Sequence, residues 1–245
     1  MKATNGEHIN HRQLSFWDYL PRATAEREGY AGVWSSPRMA EKDNTQDAKE
    51  QESVLEQILA SDNLLRALKQ VRKNKGSAGI DGMTVYDLEG WYTAHGEALR
   101  QQLREGKYRP QAVKRVEIPK DNGKTRNLGI PTVIDRMIQQ AVSQVLTPIY
   151  EAQFSDFSYG FRPQRSAHQA LERCKDYVTE GYRWVADLDL EKFFDTVNQS
   201  KLVQVLSKTI KDGRVIALIH KYLRAGILVN GMFAASEKGV PQGGP

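Results

Sequence analysis

Apolar positions recur at helical spacing once the chain passes residue 52. Between Ser53 and Val71 they return every three or four residues, which predicts an amphipathic helix facing a core. Ser61 or Asp62 is the point at which this pattern divides into two helices. Residues 1–50 are polar, carry charges of both signs and show little periodicity, so we expect a partly flexible leader there.

The remaining pattern alternates between helical and strand periodicity, which predicts a mixed α+β fold. In chain order we expect a helix from a Thr84–Asp87 capping box to about Glu105, strands Val113–Pro119 and Thr125–Ile130 joined by an Asn122-Gly123 turn, a helix from Thr132 that ends before Pro148, a helix from Ser166 to about Val178, a strand Arg183–Leu188, helices Gln199–Ser207 and Asp212–Arg224, and a hairpin Ile227–Phe233.

The composition indicates a class of binding partner. The chain has 245 residues, 40% of them hydrophobic, which is enough for one or two packed domains. The formal net charge is +5. Residues 100–136 contain ten Lys or Arg against four Asp or Glu, so this stretch accounts for the whole excess. Because the charge run continues through a strand–turn–strand pattern, it indicates a surface for phosphates.

Cysteine and hydropathy exclude several classes. Cys174 is the single cysteine, so a disulfide framework and a CxxC zinc pattern are both excluded, and we expect a buried, inert thiol. No apolar run approaches the length of a membrane span, and residues 1–10 are polar. The sequence therefore predicts a cytoplasmic protein with no membrane contact.

The candidate chemistry lies between Val185 and Asp195. An apolar strand pattern runs into Asp187, Asp189 and Glu191, and the aromatic pair Phe193–Phe194 follows. Carboxylates at the end of a strand suit Mg²⁺, a hard cation that prefers oxygen ligands. Fixed Mg²⁺ neutralises charge in phosphoryl transfer, so the pattern indicates a nucleotidyl transferase.

Five blocks, in order, resemble the reverse transcriptase/maturase encoded by bacterial group II introns. They are Asn74–Thr84 (the N-terminal extension block), Arg109–Arg136 (the fingertip hairpin and following helix), Tyr159–His168, Asp189–Asp195 (the first catalytic block) and Gly239–Gly244. The resemblance covers about residues 50–245, and five ordered blocks are far more specific than any single one.

The resemblance implies roles in the first catalytic block. Asp189 would be the catalytic carboxylate and first Mg²⁺ ligand, and the carbonyl of Leu190 would serve the second ion. Asp187 lies on the same strand face, so direction alone does not choose between the two aspartates. The spacing of the family selects Asp189. Phe194 would be the steric gate that selects deoxynucleotides, with Phe193 turned into the core.

The resemblance also implies which residues bind the nucleotide and the template. Lys120 and Arg126 on the hairpin would grip the incoming triphosphate, Arg as a bidentate donor and Lys as a point charge. Gln242 would contact the sugar or base of the nucleotide. The template or primer backbone would meet a further set of residues, namely Arg162, Arg165, Lys75 and Gly76.

The implied architecture is the fingers and an incomplete palm of a right-hand polymerase. We expect a leader (1–50), fingers with the N-terminal extension (51–148), a first part of the palm that carries Asp189 (149–197) and a remaining fingers segment (198–245). The aromatic-Ala-Asp-Asp tetrad that supplies the family's other carboxylates does not occur in the sequence. We therefore expect the 245-residue chain to be inactive alone and to self-associate, as a homodimer, through apolar surface that the missing palm strands would cover.

The implied function of the full-length parent is RNA-directed DNA polymerisation, in which two Mg²⁺ ions assist attack of a primer 3′-OH on a deoxynucleoside triphosphate. Its partners would be an intron RNA template, a DNA or RNA primer and deoxynucleoside triphosphates, with splicing assistance as a second role in a bacterial cytoplasm. The alternative is a non-catalytic RNA-binding maturase fragment, which the basic stretch at 100–136 fits equally well.

Overall fold

The computed structural model describes residues 53–119 and 125–242, without the side chain of Arg126. These residues belong to one compact unit, Glu50–Pro245. The predicted leader, the tip of the hairpin and the last three residues lie outside the described part. Among the described helices, none is long and apolar enough to span a lipid bilayer.

Eight helices and four strands are present in the described residues. The helices are α1 (Val54–Leu59), α2 (Ser61–Asn74), α3 (Leu88–Arg104), α4 (Val133–Glu151), α5 (Ala167–Thr179), α6 (Phe193–Thr196), α7 (Gln199–Thr209) and α8 (Gly213–Leu223), and the strands are β1 (Val113–Pro119), β2 (Thr125–Ile130), β3 (Ile227–Val229) and β4 (Met232–Ala234).

The strands form one sheet in the order β2-β1-β3-β4. β1 and β2 are antiparallel, with Arg115 opposite Gly129 and Ile118 opposite Arg126. β1 and β3 are parallel, and β3 and β4 form the predicted hairpin through Asn230 and Gly231. The sheet therefore joins the first predicted hairpin to the C-terminal part of the chain.

The core lies where α1, α2 and α4 meet. Buried apolar residues at helical spacing supply it, as the pattern predicts, with Leu55, Ile58, Leu64 and Met137 fully enclosed. Segments from α3, α7 and α8 close its sides. The core fixes α4, and α4 follows β2 directly, so the hairpin is anchored at its base.

A buried carboxyl group ties this base together. Asp135, in the first turn of α4, accepts hydrogen bonds from Tyr108 Oη (2.7 Å), Thr132 Oγ1 (2.7 Å) and the Gln111 amide (3.2 Å). Thr132 Oγ1 in turn accepts from the Asp135 amide, which confirms the predicted cap. Burial raises the pKa of Asp135, although these donors oppose the shift.

Two predicted helix boundaries are wrong. The Thr84–Asp87 pair forms a turn instead of a capping box, because the Thr84 amide and hydroxyl both donate to Asp87 Oδ2, and α3 begins at Leu88. Helix α4 continues through Pro148 to Glu151. Tyr150, in the turn after the proline, packs against the core, which favours continuation of the helix.

The predicted strand Arg183–Leu188 is also wrong. These residues have no regular structure, and Trp184 is 96% exposed. A strand needs a neighbour for its N–H and C=O groups, and residues 183–188 pair with none of the four described strands. The apolar alternation that predicts a strand is present, but nothing in the described residues covers it.

Cys174 is exposed, not buried as expected. It lies on α5, whose N-terminus has the predicted cap, a capping box between Ser166 and Gln169. No residue of α5 is buried, so the helix has an apolar stripe without a partner in the described structure.

Candidate nucleotide site

One open cavity gathers several of the predicted residues. It measures about 860 Å³ and is lined by Thr125 and Asn127 of β2, by the segment Leu188–Asp195 and by Gln242. Asp189, Leu190 and Phe194 from one block and Gln242 from another therefore border the same space. Asp187 does not line it, so the geometry favours Asp189 over its competitor.

Backbone hydrogen bonds hold the two sides of this cavity together. The Val240 amide donates to the Phe194 carbonyl at 2.7 Å, and the Gly239 amide donates to the Val197 carbonyl at 2.8 Å. On the other side the Gly129 amide donates to the Gln242 carbonyl at 2.8 Å. The loop of residues 239–242 thus bridges the first catalytic block and β2.

Two glycines permit this close approach. A Cβ at Gly239, whose φ is +78°, would lie 2.9 Å from the carbonyl oxygens of both Phe194 and Asp195. A Cβ at Gly129 would lie 2.7 Å from Val113 Cγ1 and 2.8 Å from Pro241 Cβ. Any larger residue at either position would separate the elements that border the cavity.

The aromatic pair Phe193–Phe194 belongs to the segment that lines the cavity. Phe194 is 43% exposed and Phe193 is 51% exposed, and their rings meet edge to face at 5.8 Å between centroids. Phe193 is therefore not turned into the core, contrary to expectation. Both belong to the single turn α6, which the sequence did not predict, and both line the cavity.

The predicted contacts of Lys120 and Arg126 with a triphosphate remain untested. Lys120 lies outside the described residues. Arg126 is in β2, with its backbone opposite Ile118, and its side chain is not described. Along β2, Arg126 lies between Thr125 and Asn127, both of which line the cavity.

Arg162 is held by the protein itself. Its side chain is 5% exposed, and its guanidinium donates to the Glu151 carboxylate and to the carbonyls of Ser155 and Ser158. The hydrogen bond from Arg162 lowers the pKa of Glu151. This geometry favours a role in shaping the loop after α4 over direct contact with a template.

Arg165 is more accessible. It contacts Asp156 at 3.2 Å and lies 5.8 Å from the centre of the Tyr159 ring. Exposed Phe161 comes between these residues in sequence, with a φ of +55°, an uncommon conformation for a residue with a side chain. The group combines a cation with open aromatic faces, which suits a nucleic acid strand.

The glycine-rich loop lies against the start of α4. Arg136 donates to the carbonyls of Lys75 (3.4 Å) and Ser77 (2.8 Å), and a Cβ at Gly76 would lie 2.8 Å from its Nη1. The side chain of Lys75 is exposed. Lys75 and Gly76 are therefore positioned by the helix that follows the hairpin, and their predicted template contact is untested.

Sequence reasoning missed several cavity residues. Arg115, Lys192 and Lys238 border an adjoining space of about 430 Å³ that Gly239 and Gln242 share. The alternation of β1 places Arg115 on the same face as Val113, so the sequence pattern could have indicated Arg115. Part of the charge of the basic stretch is also neutralised within the chain, because Arg100 pairs with Glu97 and Arg104 pairs with Glu56.

The donor chemistry of the cavity suits a divalent cation in part. Asp189, Leu190, Glu191 and Asp195 all line it, and carboxylate and carbonyl oxygens are the ligands that Mg²⁺ prefers. Within residues 53–119 and 125–242 no three acidic, His or Cys side chains converge closely enough to hold a metal. Within the described residues, these oxygen atoms do not by themselves form a metal site.

Known proteins resemble a large part of this chain. A family model for "Reverse transcriptase (RNA-dependent DNA polymerase)" matches residues 118–245. Protein YkfC of Escherichia coli is 38% identical over 197 residues, which are 78% of this chain and 52% of YkfC. The group II intron-encoded protein LtrA of Lactococcus lactis is 39% identical over 188 residues, 76% of this chain and 31% of LtrA. The chain thus spans about half or less of the length of these relatives.

The fold has relatives among solved structures. A chain of a partial Cas6-RT-Cas1–Cas2 complex matches with a TM-score of 0.53 and 23% identity, covering 79% of this chain and 32% of that one. At this identity the likeness concerns the fold alone. Together with the family model it confirms the predicted fold class, a partial reverse transcriptase fold of mixed α and β structure.

Proposed function

The chain belongs to the reverse transcriptase (RNA-dependent DNA polymerase) family, and from this premise we propose that it forms the nucleotide-binding part of a group II intron-encoded RNA-directed DNA polymerase. The predicted resemblance to the group II intron branch is confirmed by the relatives. The activity, substrates and partners of the whole protein are our proposal, because the chain spans only part of those relatives.

The observation that carries the proposal is the shared cavity. Asp189, Phe194 and Gln242 border one space, although 53 residues separate the first from the last. A carboxylate, an aromatic ring and an amide side chain around an open pocket match the phosphate, sugar and base of a nucleotide. A module that binds only RNA has no need of this combination.

The chain's own residues would act by positioning and exclusion. Asp189 and the Leu190 carbonyl would hold Mg²⁺, and two such ions would lower the charge on the triphosphate. The ring of Phe194 would occupy the volume that a 2′-OH needs. Gln242 would bind the nucleotide, and Lys120 and Arg126 would bind its phosphates as the primer 3′-OH attacks and pyrophosphate leaves.

The proposed partners follow from the same chemistry. They are an intron RNA template, a DNA or RNA primer and deoxynucleoside triphosphates. Arg165 with Tyr159 and Phe161, and the loop that contains Lys75 and Gly76, would contact the nucleic acid strands. Binding of intron RNA and assistance to splicing would use the same basic and aromatic surface.

Paired substitutions test the assignment of the metal ligand. In the complete gene product, Asp189→Asn should lower primer extension by about 10²–10⁴-fold, because loss of a metal ligand removes several kcal/mol of charge stabilisation. Asp187→Asn, the matched control two residues away, should retain most activity. Equal loss in both variants, or no loss in Asp189→Asn, would contradict the proposal. RNA affinity, measured alongside, should stay unchanged in both.

A further inference from the structure

Gln199 is a buried amide at the junction of three elements. It is the first residue of α7, is 4% exposed, and donates through Nε2 to the carbonyls of Leu223 and Gly239, each at 3.0 Å. Ser236 Oγ lies 3.2 Å from the same nitrogen. One side chain thus ties α7 to the end of α8 and to the loop that precedes Gln242.

An amide is a costly group to bury here. Its transfer from water is unfavourable unless its donors are paired, and an apolar residue of the same shape would fill the space without that cost. Oε1 of Gln199 has no hydrogen-bond partner among the described residues. The favourable contacts of the amide are therefore directed at the two carbonyls, and the Gly239 carbonyl belongs to the cavity loop.

Backbone hydrogen bonds connect the loop at Gly239 to both sides of the cavity. Its amide donates to Val197, and the next amide, of Val240, donates to the Phe194 carbonyl. Two residues further on, the Gln242 carbonyl accepts from Gly129 of β2. A shift of the loop at Gly239 would therefore change the space between Phe194 and Gln242.

We infer that Gln199 is a positioning residue that sets the separation of Phe194 and Gln242 and thereby the sugar specificity of the site. The inference deepens the proposed function and rests on it for the specificity. Gln199 lines neither the 860 Å³ cavity nor the adjoining one. It acts through the loop of residues 239–242.

Hydrogen exchange tests the positioning in the 245-residue chain. Gln199→Met keeps the length of the side chain and removes its donors, and Gln199→Glu is a second variant that presents a carboxylate to two carbonyls. Both should raise exchange at the Gly239 and Val240 amides by about tenfold, the effect of losing roughly one hydrogen bond. Exchange in α4 should not change.

Gln204→Met is the matched control, since Gln204 is exposed on the same helix. It should leave exchange at Gly239 and Val240 unchanged. If Gln199→Met and Gln199→Glu also leave these amides unchanged, or if they raise exchange in α4 equally, Gln199 does not position the loop and the inference is wrong.

Sugar preference tests the specificity in the complete gene product. Gln199→Met should lower the ratio of kcat/KM for deoxynucleotides to that for ribonucleotides by about tenfold, and Gln204→Met should change it by less than about twofold. An unchanged ratio in an active Gln199→Met enzyme would overturn the inference. If the wild-type protein incorporates no nucleotide, the proposed function fails, and the exchange experiment still decides whether Gln199 holds the loop.

Discussion

At the scale of single residues, the carboxyl group of Asp135 has the most distinctive environment in the described chain. It is 1% exposed, and its oxygens accept from a tyrosine, a threonine and a backbone amide. Burial is the main cause that raises its pKa above the ordinary value. Asp135 lies at the base of the β1–β2 hairpin, so its protonation state affects the stability of this base.

The raised pKa of Asp135 predicts a pH dependence of stability. The folded state binds the proton more tightly than the unfolded state, so the contribution of Asp135 is greatest below the unfolded pKa, about 3.9, and declines as pH rises through the folded pKa. The free energy of unfolding of the wild type minus that of Asp135→Asn should therefore fall from pH 3.5 upward, as urea unfolding would measure.

Glu172→Gln, at an exposed position of α5, is the control for Asp135→Asn. Its difference from the wild type should vary little over the same range. A difference for Asp135→Asn that grows with pH would show that the hydrogen bonds outweigh burial.

The ring of Phe194 predicts a second effect of one residue. Phe194→Ala would open the cavity beside Asp189, where a 2′-OH would otherwise meet the ring, so ribonucleotide incorporation by the complete gene product should rise. One avoided clash corresponds to about 1–3 kcal/mol, or about 10–200-fold in discrimination. Phe193→Ala is the comparison variant, because its ring lines the same cavity and contacts Phe194, and it should change the discrimination less than Phe194→Ala. Unchanged discrimination in Phe194→Ala, or an equal rise in both, would remove Phe194 from the gate.

At the scale of elements, β2 packs closely against the loop of residues 239–242 because Gly129 has no side chain. Gly129→Ala would place a methyl group against Val113 and Pro241, a strand residue and a rigid ring. Overpacking of this kind costs about 1–3 kcal/mol. We expect a loss of that size in the free energy of unfolding, measured by chemical denaturation.

Gly90→Ala is the control for Gly129→Ala, since a Cβ at Gly90 meets no atom within 4 Å in helix α3. Alanine favours a helix over glycine by up to about 1 kcal/mol, so this variant should be more stable than the wild type. A Gly129→Ala variant as stable as the wild type would contradict the tight contact between β2 and the loop.

The elements also show what a sequence can and cannot predict. Most helices and both hairpins were predicted, because their periodicity, caps and Asn-Gly turns are local signals. The strand expected at Arg183–Leu188 was wrong, because apolar alternation does not reveal whether a partner strand is present. Cavity residues from separate blocks could be named from family motifs, but Gln199 has no motif, and its role depends on contacts 24 to 40 residues away.

At the scale of the whole molecule, the apolar residues between α5 and α6 form an uncovered surface. Tyr182, Trp184, Val185, Leu188 and Leu190 are all exposed. Several large exposed apolar side chains within one short segment are typical of an interaction site. We propose that it mediates self-association of the 245-residue chain.

The double variant Trp184→Glu/Leu188→Glu tests self-association. Each apolar side chain contributes about 1.5–3 kcal/mol when buried, so the dissociation constant should rise by at least about tenfold per residue. Tyr86→Glu, an exposed aromatic in the turn before α3, should have no effect. Sedimentation velocity over a concentration series measures all three proteins. A monomeric wild type, or equal association of all three, would contradict the expectation.

The central claim is that this chain forms the nucleotide site of an RNA-directed DNA polymerase, and RNA-templated primer extension tests it most directly. The complete gene product, a primer annealed to RNA, deoxynucleotides and Mg²⁺ should yield DNA complementary to the template, and removal of Mg²⁺ should stop the synthesis. If the protein binds the same primed RNA tightly but does not extend the primer at any Mg²⁺ concentration, the account is contradicted. That result would favour the non-catalytic maturase.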